Sequence, residues 1–588
     1  MKRPLISALL AFALMLPLTA CGPTGQGTFP QGPTGPNIDT EPANASVAVG
    51  AAATFSVMAS GTAPLTYQWA RGTSAISGAT SSSFTTAAAT LADNGAIFTV
   101  TVTNAQGSVT SSPATLIVGG AGAGTLPKGQ YSFSYTGQNS AGPISIVGSF
   151  SVDGHGDISA GIEDIASVKT SNGTVGVQPA VTMTGTYTVG VDGRGTMVLN
   201  TSSNGTQNFA FVISAENHAQ FTWFDATATG SGSFDLQDPA VLAAAAPSGT
   251  FVFGLNGLDS SANLYSRVGV FTAASGSIAN GGESDLNNAL GAGGVSLAQT
   301  ITAGTIGAPD HTTGRGTFSL SYGGSAVNYI YYVVSVGKLN LVAADNTASV
   351  FGTATLQAGG PFSTASLNGN YVFSIIGANG TAAFSDAGQF VADGLGTLTG
   401  VGDQNLGSVP TSAFALAGSF AMVTANGRGT MELALPAVAP ASAEFVFYIA
   451  SSNITYLMES DNTGVSSGLA LAQTGGPYTT ASLLGTYGVQ IAGLQAPMEV
   501  SASGQLVAGG TGTASGTLDV NDVSSITPPF ASTIDSGSMY TVTDGAKGRV
   551  TVQVNGVFPV ELVLYFVSPT QFILFDTEDV TIGSGQTQ

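Results

Sequence analysis

The sequence of 588 residues contains one cysteine, Cys21, so no internal disulfide can staple any part of it. Histidine is nearly absent: His155, His218 and His311 have no metal-ligand spacing and do not recur at matching places, so no metal centre is expected. Cationic side chains are also scarce, 12 Lys plus Arg against 33 Asp plus Glu, a net charge of −21 that phosphate backbones would repel; this excludes nucleic acid as a partner. Tryptophan occurs twice, as Trp69 and Trp223, too few for the aromatic cleft of a sugar-cleaving enzyme. Helical periodicity is confined to Thr85 to Leu91 and the Ala-rich stretch Pro239 to Ala246. Catalytic and cofactor signatures are missing too. Gly464-Val465-Ser466-Ser467-Gly468 fits the G-x-S-x-G pattern, but small residues surround it, no helix follows, and all three histidines precede it. Asp153-Gly154-His155-Gly156-Asp157 is too poor in carboxylates for a calcium loop, and Asp519-Val520-Asn521-Asp522 lacks the glycine and distal glutamate of an EF-hand. No cofactor and no catalytic residue is expected.

What is present begins with Met1, Lys2 and Arg3, followed by a run of about fourteen mostly apolar residues from Leu5 to Leu18, shorter than the roughly 20 needed to span a bilayer. It ends in Leu18-Thr19-Ala20-Cys21, which resembles the lipobox of bacterial lipoproteins. That resemblance implies cleavage before Cys21, its acylation, and anchoring to a membrane by the acyl chains. Gly22 replaces the aspartate that in such families favours the inner membrane, which points to the outer membrane or cell surface. Without Lys2 and Arg3 the chain keeps ten cationic residues against 33 acidic ones, a charge of −23. Residues 21–36, rich in Gly, Pro and Thr, read as a flexible tether after a signal peptide at 1–20.

The rest alternates β-branched and aromatic residues with polar ones, punctuated by Gly, Asn-Gly and Asp-Gly, the pattern of short strands and tight turns. Trp69, in Thr66-Tyr67-Gln68-Trp69, and the segment Asp93-Asn94-Gly95-Ala96-Ile97-Phe98 fall where a buried third-strand tryptophan and a tyrosine corner stand in bacterial immunoglobulin-like domains of the I-set type, which residues 37–118 resemble. Val57 and Val100 occupy the places of the bridging cysteines, so apolar packing replaces the covalent staple, and Phe98 in place of tyrosine forfeits the corner's hydroxyl bond. Short, nearly uncharged loops favour a spacer over a binding module.

After a linker at 119–127, self-similarity returns every ~115–120 residues: 128–237, 248–357, 366–473 and 482–582. Each unit has an aromatic first strand, a Gly-Arg turn (Arg194, Arg315, Arg428, Arg549), an apolar strand ending in serine, and a strand ending in aspartate (Asp225, Asp345, Asp461, Asp576). Recurrent Arg–Asp ion pairs within each repeat are the obvious thought; a row of arginines receiving acidic sugars, or plain hairpin tips, are the alternatives. A period this long lets each repeat bury its own core, so the repeats are expected as separate beads. The fold class expected is all-β: an immunoglobulin-like β-sandwich followed by four tandem β-meander repeats, each a small barrel or sandwich. The arrangement resembles repeat lipoproteins of environmental bacteria, which bring no activity with them.

The function expected is that of a non-catalytic, membrane-anchored surface lipoprotein in adhesion or envelope and matrix interaction. Its partners would be the membrane through the lipid anchor, and extracellular polysaccharide or protein. The alternatives are a hydrolytic, carbohydrate-active exoprotein with its site in one divergent repeat, and a purely structural spacer.

Overall fold

Period-two alternation builds strands nearly everywhere, and the chain is all-β: an immunoglobulin-like sandwich followed by four barrels. The structure is a computed structural model and describes residues 32–588 except 43–44, 49–50, 90–92, 94–95, 120–124, 170–173, 191, 216, 243–244, 292–293, 381, 436–441, 496–497, 523–528, 556–559 and 578–579. Cys21, the signal peptide and most of the expected tether lie outside the described residues, as do Asn94 and Gly95 of the expected corner.

Two compact units divide the chain, one made of the stretch up to Pro42 with Ser56–Phe84 and Phe98–Pro113, the other of Ala43–Phe55, Thr85–Ile97 and Ala114–Gln588. In the first, Thr66–Arg71 pairs antiparallel with Ala96–Asn104, placing Trp69 opposite Val100. Trp69 is fully buried, its indole N–H donates to the Ser81 carbonyl at 2.9 Å, and Val57, Phe98 and Val100 are buried in the same unit. The expected helix from Thr85 does not form over its described part. Thr86 instead donates its backbone N–H to the Ala53 carbonyl and accepts the Ala53 N–H on its hydroxyl, holding the chain extended. Of the second expected helix, one turn forms among the described residues, Pro239–Leu242.

Each repeat is an up-and-down barrel of eight antiparallel strands, in which the first pairs with the eighth. The first barrel runs from strand Gly129–Asn139 to strand Ala228–Leu236, the third from Asn368–Asn379 to Gly464–Ala472, and the fourth from Leu484–Gln495 to Thr581–Thr587. The second, Gly249–Asp259 to Ala348–Leu356, closes in the same way with its third strand broken into Ser277–Ile278 and Gly282–Asn288. The last barrel extends past the boundary expected at 582. The polar, small-residue end Thr581–Thr587 looks like a tail in sequence but pairs with the first strand from Tyr487 to Gly493. Aromatic side chains on alternate positions fill the interiors: Tyr131, Phe133 and Tyr135 of the first barrel meet Phe150, Phe209, Phe221 and Phe234.

The barrels are not separate beads. Their sixth strands are buried on both faces, as in the unbroken run Phe445 to Ala450, because one face fills the barrel and the other packs on a neighbour. Val147, Ala166, Ile330, Tyr332 and Val342 join the first barrel to the second. Val252, Val268, Val270, Val446 and Tyr448 join the second to the third, and Val372, Ala387, Val563, Tyr565 and Phe575 join the third to the fourth. The fourth barrel packs back on the first through polar groups. The Gln490 amide donates to the carbonyls of Phe221 and Gly232 at 2.8 and 2.7 Å, the Asn521 amide to those of Trp223 and Ala228 at 2.6 and 2.8 Å, and the Thr222 and Ser501 hydroxyls meet at 2.6 Å. Four barrels thus close into a ring.

Candidate functional site

The Gly-Arg turn opens the fifth strand of each barrel with the glycine at positive φ, +79° at Gly193, +71° at Gly314, +98° at Gly427 and +74° at Gly548. Each arginine then reaches out of its own barrel. Arg315 binds Asp164 of the first barrel by two bonds of 2.7 and 2.8 Å. Arg428 binds Asp285 of the second at 2.7 and 2.7 Å, and Arg549 binds Asp403 of the third at 2.8 and 2.6 Å. Arg194 of the first barrel closes the circle on Asp519 of the fourth, at 3.2 and 2.5 Å. All four are fork-to-fork pairs, the geometry a guanidinium shares with a carboxylate.

Three of these joints carry two further donors. Tyr332, Tyr448 and Tyr565 sit across the sheet from Arg315, Arg428 and Arg549. Their hydroxyls donate to Asp164 and Asp285 at 2.6 Å each, and to Asp403. Burial first, and the adjacent carboxylate second, push these phenols well above their ordinary range, so they remain protonated donors. Ala180, Ala298 and Ala413, each in the left-handed region at φ 58°, 52° and 51°, turn their N–H groups onto the same three aspartates at 2.9, 2.7 and 2.9 Å. At the fourth joint Val212 stands opposite Arg194 where the others have tyrosine.

The carboxylates expected to pair with these arginines are elsewhere, and that expectation is corrected. Asp225, Asp345 and Asp461 each accept a backbone N–H two residues ahead, from Thr227, Thr347 and Thr463, and another from Asn208, Asn328 and Glu444. They lock the turn after the seventh strand to the start of the sixth, within hydrogen-bond reach of their own barrel and not of the arginine. Asp576 is out of step with the other three: it lies opposite Leu562 as Glu459 lies opposite Phe445, so it matches Glu459 and not Asp461. The true partners carry a sequence signal, D-x-N in Asp285-Leu286-Asn287, Asp403-Gln404-Asn405 and Asp519-Val520-Asn521, broken to Asp164-Ile165-Ala166 in the first barrel. The calcium candidate Asp519 to Asp522 therefore has its first carboxylate committed to Arg194 and its amide to the first barrel's carbonyls.

Glutamines following the eighth strands reinforce the joints. The Gln237 amide donates to the Val333 carbonyl, Gln357 to Ile449 and Asn426, and Gln473 to Phe566 and Lys547, each a residue of the next barrel.

Where the four barrels converge lies a cavity of about 340 Å³, lined by all of them. The equivalent first-strand glycines Gly137, Gly257, Gly377 and Gly493 form part of its wall, and a Cβ at any of them would overlap a carbonyl oxygen of the eighth strand or the residue before it. Asn256, Tyr265, Ser266, Ser466 and Ser467 supply polar groups; among the described residues no carboxylate, histidine or cationic side chain lines it. Ser466, the serine of the G-x-S-x-G match, is a strand residue whose hydroxyl donates to Glu459 at 2.7 Å. His218 lies 2.8 Å from Asp235, which also takes Lys338 of the second barrel at 2.7 Å, and His311 lies 2.7 Å from the Leu242 carbonyl. Among the described residues no three His, Cys, Asp or Glu side chains gather as a metal would need.

No family model matches the sequence. No curated protein matches it either. Among solved structures, Sidekick-1 immunoglobulin domains 1–5 overlap 72% of this chain and 99% of that one at 12% identity and a TM-score of 0.16. The N-terminal four immunoglobulin domains of Dscam1 isoform 7.44 overlap 52% of this chain and 100% of that one at 10% identity and a TM-score of 0.14. Overlaps at these TM-scores carry no argument.

Proposed function

We propose that this chain is a non-catalytic, membrane-anchored surface lipoprotein, tethered through acylated Cys21, that displays a closed four-barrel head for adhesion or for contact with envelope and matrix. The observation that supports this most is the commitment of the recurrent charges. All four turn arginines and four third-strand aspartates are spent on holding barrels together, so the most regular charged feature of the sequence is architectural. The hydrolytic alternative asks for two convergent carboxylates in one repeat. The first barrel offers Glu163, but its neighbour Asp164 is bound by Arg315, and the third barrel sets Asp386 near Glu459, but both are buried and neither is presented to a substrate.

Intact-mass analysis with membrane fractionation of the wild type beside Cys21→Ser, in the native host, tests the anchor. Acyl mass and membrane partition of the wild type, both lost in the serine variant together with retention of whole cells on polysaccharide or matrix surfaces, is the expected result. Unmodified, soluble protein in both cases would remove the anchored reading and bring the diffusible exoprotein forward.

A further inference from the structure

Alternation along the first strands decides which side chains meet where the four barrels converge. Tyr135, Leu255, Ile375 and Ile491 point into their own barrels and belong to the cores, so the next residues, Thr136, Asn256, Ile376 and Ala492, point out, and all four line the central cavity. Elsewhere the outward apolar side chains of the barrels are shut against a neighbour: Val252, Val372, Val446 and Val563 are each 0% exposed. Around the cavity they are not. Leu258, Leu264, Phe351, Ile376 and Ile582 stay half-buried, so the ring encloses apolar surface that the described chain leaves uncovered.

One polar group among them is held in a fixed orientation. Asn256 Oδ1 accepts the hydroxyl of Ser266, its cross-strand neighbour, at 3.1 Å, and that of Ser467, which comes from the third barrel. Two bonds from two barrels set the plane of the amide and occupy its oxygen. Its Nδ2 carries two N–H donors that have no hydrogen-bond partner among the described residues, on a residue that is itself exposed. The equivalent positions hold threonine, isoleucine and alanine, so the amide is peculiar to the second barrel. Unmet donors ask for an acceptor. Among the described residues no charged side chain lines the cavity, and an ion entering it would give up its hydration without a counter-ion. At about 340 Å³ the cavity is of the size that encloses one small molecule, apolar walls with a few placed polar groups being the usual form of such a site.

We propose that the convergence of the four barrels is a binding site for a neutral, largely apolar small molecule with an acceptor oxygen, a ketone, lactone or ester of roughly a dozen non-hydrogen atoms. Its oxygen accepts an N–H of Asn256 Nδ2, and its carbon body covers Leu258, Leu264, Phe351, Ile376 and Ile582. Because all four barrels supply the wall, the site exists only while the ring is closed, and its occupant stabilises that closure.

The test titrates the full chain with propiophenone by calorimetry, beside 3-phenylpropionate and 3-phenylpropylammonium, which carry the same ring with a charge of either sign. Saturable propiophenone binding is expected, at least tenfold tighter than that of either ion. Asn256→Asp keeps an acceptor for both serine hydroxyls but removes the amide donors, and it should weaken propiophenone binding tenfold or more. Ala492→Phe places a ring in the cavity from the fourth barrel; it should melt at or above the wild-type temperature and abolish binding. The proposal is overturned by an ion that binds as tightly as the ketone, by an N256D or A492F variant that binds propiophenone as the wild type does, or by no saturable heat up to about 5 mM probe.

Discussion

Arg428→Met should separate the second and third barrels. Arg428 and Asp285 are, with Arg549 and Asp403, the most enclosed of the pairs, with side chains 6% and 0% exposed, and two bonds of 2.7 Å hold them. Without the arginine, Asp285 keeps Tyr448 and the Ala298 N–H but loses its counter-ion in a site closed to water. Breaking a buried pair in this way costs about 3–5 kcal/mol. Asp285→Asn should cost less, because Glu283 lies 3.7 Å from Arg428 and can take over part of its charge. The double variant leaves no unpaired buried ion, and its cost should fall short of the sum by about 2 kcal/mol or more. Hydrogen exchange measured on Gly282–Asn288 and Arg428–Leu433 reads this locally, without assuming that the whole chain melts in one step. Additive effects within about 0.5 kcal/mol, or a loss below about 1 kcal/mol in Arg428→Met, would refute the reasoning.

Two further perturbations follow from the geometry. Gly377→Ala drives a Cβ into the Val465 carbonyl where the barrels converge and should cost about 1–3 kcal/mol in thermal melts, whereas Gly307→Ala, with its nearest atom at 3.6 Å, should be close to neutral; equal effects would contradict the close approach. Glu163→Gln should change how stability depends on pH. Because burial holds the folded carboxyl near 8, the unfolded chain gives up its proton first, so this group removes stability as pH rises from its ordinary value of 4.5 towards 8. Asp386 and Glu459, raised by burial to about 7, act with the same sign. The variant and the wild type should melt alike at pH 4.5 and diverge by pH 8 with the variant higher, and a gap that does not change with pH would sink the assignment.

The all-β class was legible from period-two alternation alone, and the burial of Trp69 opposite Val100 from the spacing of the first domain. The ring was not read, although its signal is present. Runs such as Phe445 to Ala450 and Leu562 to Val567 are apolar on consecutive positions, which a strand with one wet face would not be; both faces need a partner. The arginines were identifiable from the repeat, but their partners were not, because a strand-end aspartate after the seventh strand is closer in sequence than a D-x-N aspartate on another barrel 143 to 325 residues away. Sequence proximity favoured the intra-repeat pair, and barrel closure followed by side-by-side packing reversed it. Glu163 was one acid among 33 until the fold buried it completely.

The first and fourth barrels touch through Arg194 and Asp519, 325 residues apart, and this contact closes the ring. A charge swap tests it directly: Arg194→Glu, Asp519→Lys and the double variant, compared by hydrogen exchange on Arg194–Thr201 and Thr513–Asp522. A closed ring predicts lost protection on both strands in each single variant and its recovery in the double one. Single effects confined to the barrel that carries the substitution, with no recovery when both are present, would mean an open row of barrels and contradict the account.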